Sequence, residues 1–113
     1  MKEIKAIIDP SFIYQVMVSL HALPRFPGCT ISDAQGQGRG EGVDGKHVSY
    51  GDPLSFKKKI KLELFCADDE CDLYVDTILK ASRSKTQGKG IIRVTHLERV
   101  VRVSSGEEGD DAV

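Results

Sequence analysis

The 113-residue sequence has no tryptophan and only three cysteines, and it has no apolar run long enough to span a bilayer. The cysteines are odd in number and lack zinc-site spacing, which favours a reducing cytoplasm. The first residues lack the pattern of a signal peptide. The net charge is −1, which provides no general attraction to nucleic acid or to a membrane surface. We therefore expect a cytoplasmic protein.

Length and composition suit one small globular domain spanning residues 1–113. Hydrophobic residues make up 40% and charged residues 29% of the chain, which is enough for a modest core and a soluble surface. We find no internal repeat and no linker.

The hydrophobic pattern predicts the order strand, helix, strand, long loop, strand, helix, strand. Alternating side chains predict strands at 2–8, 28–35, 57–66 and 91–95. Helical spacing predicts one helix at 11–23 and another ending near 83, with N-caps at Asp9 and at Asp68-Asp69. We expect 97–103 to be extended and the acidic tail to be mobile. This order is the ferredoxin-like βαββαβ arrangement of the α+β class.

A glycine-rich stretch at 34–56 separates the second and third predicted strands. It contains six glycines, and its leucine and phenylalanine lie only at its far end. Because it can bury little, we expect a long mobile loop, and such loops inside compact domains are usually functional.

Two glycine-rich segments are candidate anion sites. Gly36-Gln37-Gly38-Arg39 offers backbone N–H groups beside a guanidinium, and Gln87-Gly88-Lys89-Gly90 offers a similar set. The alternatives are a flexible hairpin tip for the first and an ordinary helix-to-strand turn for the second. The lysines at 57, 58, 59 and 61 and the arginines at 99 and 102 each suit an ordinary solvated surface. Together they strengthen the anion hypothesis because they add positive charge to the same small domain.

The sequence gives little support for catalysis. His21, His47 and His96 have no nucleophile or acid at a recognisable spacing, and the aspartates near 68–76 suit a helix start. Cys66 and Cys71 fit two core cysteines better than a redox pair. We expect no catalytic residue, no catalytic cofactor and no metal site.

Four segments together resemble the PII family of nitrogen-regulatory signalling proteins. They are MKEIKAIIDP, GCTISDAQGQGRGEG, KIKLELFCADDECDLYVDTILKA and IIRVTHLERVVRVSSGEEGDDAV, in the family order and over essentially the whole chain. The resemblance implies a homotrimer that binds adenine nucleotides in three clefts between subunits. It also implies a target-docking T-loop at about 37–56, a B-loop at about 84–90 and a C-terminal tail at about 103–113.

Carried over by position, the resemblance implies a nucleotide site with two ends. Thr30, Glu63 and Leu64 would hold the adenine and ribose. The phosphates would be surrounded by Gly36, Gln37, Gly38, Arg39, Gly88, Lys89, Gly90 and Arg102. Lys59 matches the lysine that contacts 2-oxoglutarate in the family.

Several positions depart from the family pattern. Gly40 replaces the glutamine that helps to hold Mg²⁺ and 2-oxoglutarate, while Ile91 and Ser104 replace two cations. Asp52 stands where some members carry a modified tyrosine, with Tyr50 two residues away. We expect a divergent member with no 2-oxoglutarate response, in which ADP or AMP binds at least as tightly as ATP.

The function implied is a non-enzymatic regulator that acts on a partner protein through its T-loop. The partner would be a transporter of inorganic carbon, metal or nitrogen compounds, or another target protein, and no nucleic acid would be bound. The alternatives are an orthodox nitrogen regulator responding to ATP and 2-oxoglutarate, a weak nucleotide-hydrolysing enzyme, and a trimer whose pocket has decayed.

Overall fold

The computed structural model describes residues 1–38, 53–83 and 90–113. Its regular elements lie in the expected order. They are β1 (Lys2–Ile8), α1 (Ile13–His21), β2 (Thr30–Gly36), β3 (Lys57–Cys66), α2 (Cys71–Ser82) and β4 (Gly90–His96). Short 3₁₀ turns precede both α-helices, at Pro10–Phe12 and Asp68–Glu70, and a third covers Gly109–Ala112.

The four strands form one antiparallel sheet in the order β2-β3-β1-β4. Strands β1 and β3 are central in the sheet, and along the chain α1 follows β1 and α2 follows β3. The predicted α+β ferredoxin-like arrangement is confirmed. Strands β1 and β3 have the predicted bounds, because apolar and charged residues alternate along most of each strand, with Ile7 and Phe65 as apolar exceptions on the charged side.

One face of the sheet is covered by the helices and forms the core. In register, Ile4 lies beside Leu64 and Ala6 beside Leu62, and all four side chains are at most 1% exposed. Val16 and Leu20 of α1 and Tyr74 and Ile78 of α2 pack on them.

The opposite side of the sheet, which we call the open face, carries the alternate residues of each strand. Its members include Glu3, Lys5, Ile7, Thr30, Ser32, Lys61, Glu63, Phe65, Ile91, Arg93 and Thr95. Most are charged or polar, but Phe65 is 38% and Ile91 57% exposed. Strand alternation predicts Ile7, Phe65 and Val101 on the face opposite the helices. This is confirmed for Ile7 and Phe65 and wrong for Val101, which lies outside the four strands in an isolated bridge to Glu108.

The two predicted helix caps have different outcomes. Asp9 accepts hydrogen bonds from the backbone N–H of Ser11 at 2.9 Å and from its hydroxyl at 2.7 Å, with Pro10 following, as expected. The cap expected from Asp68-Asp69 is wrong, since neither the Asp68–Glu70 turn nor α2 has a side-chain cap. Asp68 instead contacts the amino group of Met1 at 2.8 Å, a charged donor that lowers the pKa of its carboxyl.

The Asp9 cap provides the first testable prediction. Hydrogen bonds from Ser11 lower the pKa of Asp9, so the cap stabilises the fold above the ordinary aspartate pKa of about 3.9 and is lost as the pH falls through the lowered value. We expect Asp9→Ala to reduce the free energy of unfolding by about 1 kcal/mol at pH 7. Urea titrations at pH 7 and pH 3 measure this. The Asp9→Ala effect should shrink at pH 3, and an equal loss at both pH values would contradict the ionised cap.

The C-terminal segment is more folded than the sequence predicted. Residues 97–103, which we expected to be extended, lie outside the four strands of the sheet. The tail, which we expected to be mobile, folds back as a hairpin over residues 100–109, which we call the tail hairpin. Val101 and Glu108 form an isolated β-bridge, and Gly109 N–H donates to the Val100 carbonyl at 3.0 Å. Ala112 then enters the core at 5% exposure. Long-range backbone pairing and this apolar anchor outweigh the polar local composition.

Candidate functional site

The structure describes eight of the predicted site residues together with Lys59. Arg39, Gly40, Gly88 and Lys89 lie outside the described residues, as does most of the loop predicted to be mobile. The described ones fall into two groups. Thr30, Glu63, Leu64 and Arg102 form one, and Gly36, Gln37, Gly38, Lys59 and Gly90 form the other.

The first group surrounds a cavity of about 320 Å³, which we call the tail pocket. Thr30 and Glu63 are cross-strand partners on the open face, and Arg102 reaches the same cavity from the tail hairpin. Leu64 also lines it, but its side chain is only 1% exposed and belongs to the core. Leu64 can therefore contact a ligand through its backbone but not through its side chain.

Sequence reasoning missed the other walls of the tail pocket. They are Pro27, Gly28, Cys29, Phe65, Val100, Val101, Val103, Ala112 and Val113. Gly28, two residues before the start of β2, has a φ of 93°, a backbone conformation that favours glycine. Ala112 and Val113 were missed because the tail was expected to be mobile. The pocket thus has apolar walls and a few polar groups, which is the usual character of small-ligand sites.

Arg102 is held by its backbone while its side chain stays exposed. Its N–H donates to the Glu107 carbonyl at 2.8 Å, and its own carbonyl accepts from Gly106 N–H at 2.8 Å. Gly106 has φ of 76°, which lets the turn close. The Arg102 guanidinium makes no ion pair with a carboxylate anywhere in ranges 1–38, 53–83 and 90–113. It is therefore available to an anionic ligand.

Four members of the second group lie where the long loop leaves the sheet, and we call these four the loop base: Gly36, Gln37, Gly38 and Lys59. The Gln37 side-chain amide donates to the Ser55 carbonyl at 2.8 Å and so joins the two ends of the loop. A Cβ added at Gly36 would lie 3.2 Å from Cγ of Lys59, whose side chain is nine-tenths buried. Gly90, on the other edge strand, lies so close to β1 that an added Cβ would be 2.7 Å from the Ile7 carbonyl oxygen.

A second cavity of about 470 Å³ adjoins the loop base. Its lining consists of Pro10, Asp33, Ala34, Gln35, Lys58, Lys59 and Ile60. Of these, only Lys59 was singled out from the sequence as a candidate for a second ligand. The structure therefore places Lys59 at a cavity separate from the tail pocket.

The two groups do not meet within one chain. Thr30 and Gly36 are the two ends of β2, and six residue steps along the strand separate them by about 20 Å. A small ligand in the tail pocket therefore cannot also contact Gly36 of the same chain.

The remaining reactive side chains show no catalytic arrangement in the described parts of the chain. His21 and His96 are exposed, and Cys66 and Cys71 are buried free thiols. Burial raises the pKa of Cys66 to about 12, and Cys71 beside it adds to the rise, so Cys66 is a poor nucleophile. The expectation that both are core cysteines is confirmed. No cluster of three metal-binding side chains occurs among the described residues.

A third cavity of about 420 Å³ lies beside Cys66. Arg25, Glu70, Tyr74 and Asp110 contribute polar atoms to its lining. Three of these residues are linked, since the Tyr74 hydroxyl donates to the Arg25 carbonyl at 2.8 Å and the Arg25 guanidinium lies 3.7 Å from Glu70.

In the described residues, no helix has both the length and the apolar character needed to cross a bilayer.

Comparison with known proteins identifies the family. The family model described as "Nitrogen regulatory protein P-II" matches residues 1–107. Proteins of that name from Microchaete diplosiphon and Azospirillum brasilense are 33% and 34% identical over 113 residues, covering all of both chains. A nitrogen regulatory protein P-II 2 from Methanothermobacter thermautotrophicus is 33% identical over 113 residues, covering all of this chain and 97% of that protein.

A solved structure extends the comparison to the fold. The crystal structure of Arabidopsis thaliana PII bound to citrate superposes with a TM-score of 0.77 at 29% identity. It covers 99% of this chain and 91% of the Arabidopsis chain. The chain therefore belongs to the nitrogen regulatory protein P-II family.

Proposed function

We propose that this single-domain protein is a non-enzymatic, cytoplasmic PII-type sensor that binds an adenine nucleotide, ADP or AMP in preference to ATP, between the subunits of a homotrimer. Nucleotide occupancy would bias the conformation of the loop at about 37–56, through which the protein regulates a partner. A membrane transporter of inorganic carbon, metal or nitrogen compounds is our first candidate for that partner.

The observation that carries the proposal is the tail pocket. It gathers Thr30, Glu63 and Arg102 from three separate parts of the chain around one cavity of about 320 Å³. Apolar walls suit a purine ring, the Glu63 carboxylate suits ribose hydroxyls, and the Arg102 guanidinium suits a phosphate.

The separation of the two residue groups supports a site shared between chains. A ligand in the tail pocket cannot also contact Gly36 or Gln37 of the same chain, because about 20 Å of strand lies between them. If the resemblance-based assignments of both groups hold, the loop base must come from a neighbouring chain. Closed rotational symmetry of a homotrimer provides three such clefts.

Charge supports the preference for shorter phosphate chains. Ser104 stands beside the tail pocket where the family usually has a second arginine, and Ile91 replaces a lysine next to Gly90. Each charge-assisted hydrogen bond contributes about 1.5–3 kcal/mol, so a γ-phosphate would add negative charge with few compensating donors. Gly40 likewise has no side chain to hold Mg²⁺ for 2-oxoglutarate. The Arabidopsis relative is bound to citrate, which supports a capacity of this fold for small anions.

Isothermal titration with ADP, AMP and ATP tests the proposal. We expect ADP or AMP to bind at least as tightly as ATP, with no nucleotide turnover and no added heat from millimolar 2-oxoglutarate in the presence of Mg-ATP. Arg102→Ala should weaken ADP binding by about tenfold or more, equivalent to about 1.4 kcal/mol.

Lys80→Ala provides the matched control, since it removes one exposed cation from α2 on the helix side of the sheet. Its ADP affinity should equal that of the unmodified protein. A clear preference for ATP, or unchanged ADP affinity in Arg102→Ala, would show that the phosphates do not lie at the tail pocket. Release of phosphate from ATP would favour the enzymatic alternative instead.

A further inference from the structure

An ion pair closes the tail hairpin next to Arg102. Arg99 lies just before the first arm of the hairpin and Glu108 lies in the second, and Arg99 Nε is 2.6 Å from Glu108 Oε1. The sequence analysis counted Arg99 among the cations that favour an anion site, but nothing in the sequence linked it to Glu108, which is nine residues away.

The ion pair acts on the same backbone that fixes Arg102. Glu108 bridges Val101, the residue immediately before Arg102, and Gly109 N–H bonds to the Val100 carbonyl at 3.0 Å. The two backbone bonds of Arg102 close the tip of this hairpin at 2.8 Å each. The hairpin therefore fixes the position of the Arg102 backbone, from which the side chain extends. Arg99 and Glu108 hold the two arms of the hairpin together at the end remote from the turn.

We propose that Arg99 and Glu108 are positioning residues that hold Arg102 toward an anionic ligand in the tail pocket. This inference rests on the proposed nucleotide site. Neither residue lines the pocket, whereas Val100, Val101, Arg102 and Val103 all do. Their influence on a ligand would therefore pass through the hairpin backbone.

The size of the effect follows from exposure. The Arg99 and Glu108 side chains are 72% and 51% exposed, so water and salt weaken their attraction. We expect loss of the pair to weaken ADP binding by about threefold, well below the tenfold effect of removing Arg102 itself.

The decisive variant is Glu108→Arg, because two explanations predict opposite signs. It replaces a negative charge near the phosphates with a positive one, so direct attraction alone would strengthen binding of an anion. Loss of positioning would weaken it. We expect about threefold weaker ADP binding for Glu108→Arg by isothermal titration.

Two further variants complete the test. Glu98→Arg makes the same charge change one residue before Arg99, and Glu98 forms no ion pair within the described ranges. Its ADP affinity should be equal to or higher than that of the unmodified chain. The double variant Arg99→Glu with Glu108→Arg restores an opposite-charge pair and should recover most of the lost affinity. Thermal unfolding of each variant separates positioning from overall stability, because positioning predicts weaker ADP binding without a matching fall in the unfolding temperature.

Unchanged or tighter ADP binding in Glu108→Arg, or no recovery in the exchanged double variant, overturns the positioning role. Absence of ADP binding by the unmodified protein overturns the proposed nucleotide site itself, so the two failures are distinguishable. Arg102→Ala, measured in the same series, reports whether the pocket cation matters when the hairpin pair is intact.

Discussion

Gly90→Ala should reduce the free energy of unfolding by about 3 kcal/mol, at the upper end of the range for overpacking in a closely packed site. The new Cβ would lie 2.7 Å from the Ile7 carbonyl oxygen and 3.6 Å from Ile8 Cα. Both neighbours are backbone atoms of β1, a central strand of the sheet, so neither can turn aside as a side chain would. Relief requires the end of β4 to move away from β1, which breaks the pairing of Gly90 with Ile8.

Gly36→Ala is the matched control for this prediction. It also adds one methyl group at the end of an edge strand, but its nearest contact is Lys59 Cγ at 3.2 Å, part of a flexible side chain. Urea titrations without nucleotide, at one fixed protein concentration because association shifts apparent stability, should show a much smaller loss for Gly36→Ala. Equal stability of Gly90→Ala and the unmodified protein would contradict the close approach.

Sequence patterns predict the sheet well because its signals are local. In β1 and β3 every second residue is apolar, and one buried face fixes the register of such strands. Helix α1 has a strong start signal in Asp9-Pro10, but it ends at His21, two residues earlier than the 11–23 prediction. Helix boundaries are less certain than helix positions because the last turn competes with the chain reversal at Pro24 and Pro27.

The tail shows where local reasoning fails. Its residues are polar and acidic, which predicts mobility, yet they fold back on Val100 and Arg102 and insert Ala112 into the core. Those contacts join residues that neither alternate nor follow helical spacing. The Asp68 cap failed for the same reason, because its actual partner is the amino group of Met1, 67 residues away.

Three residues that the resemblance assigned to one site meet at one pocket, but the arrangement of the two residue groups was not predictable. Thr30, Glu63 and Arg102 were assigned by resemblance, and the structure brings them to one pocket. Their separation from Gly36 and Gln37 follows only from the strand register, which places Thr30 and Gly36 at opposite ends of β2. The Arg99–Glu108 pair was not predictable, since a charged pair nine residues apart has no periodic signature.

Phe65→Glu should prevent trimer formation, the largest effect we expect on the proposed assembly. Phe65 is 38% exposed on the open face, beside Glu3 in the register with β1. Ile7 and Ile91 form another neighbouring pair on that face, and Ile91 is 57% exposed. No helix of the described chain covers these side chains, and an adjoining copy would bury them. A carboxylate at 65 would be buried at that interface opposite the Glu3 carboxylate, without a matching cation.

Light scattering at micromolar concentration should give three times 12.4 kDa for the unmodified protein and 12.4 kDa for Phe65→Glu. Leu79→Glu is the matched control, because Leu79 is 41% exposed but lies on α2, on the other side of the sheet. It introduces the same charge at similar exposure and should leave the trimer intact. A monomeric unmodified protein would refute the trimer, whereas loss of the trimer in both variants would place the interface outside the open face. Since Phe65 also lines the tail pocket, Phe65→Glu should lower the nucleotide affinity as well as the mass measured by light scattering.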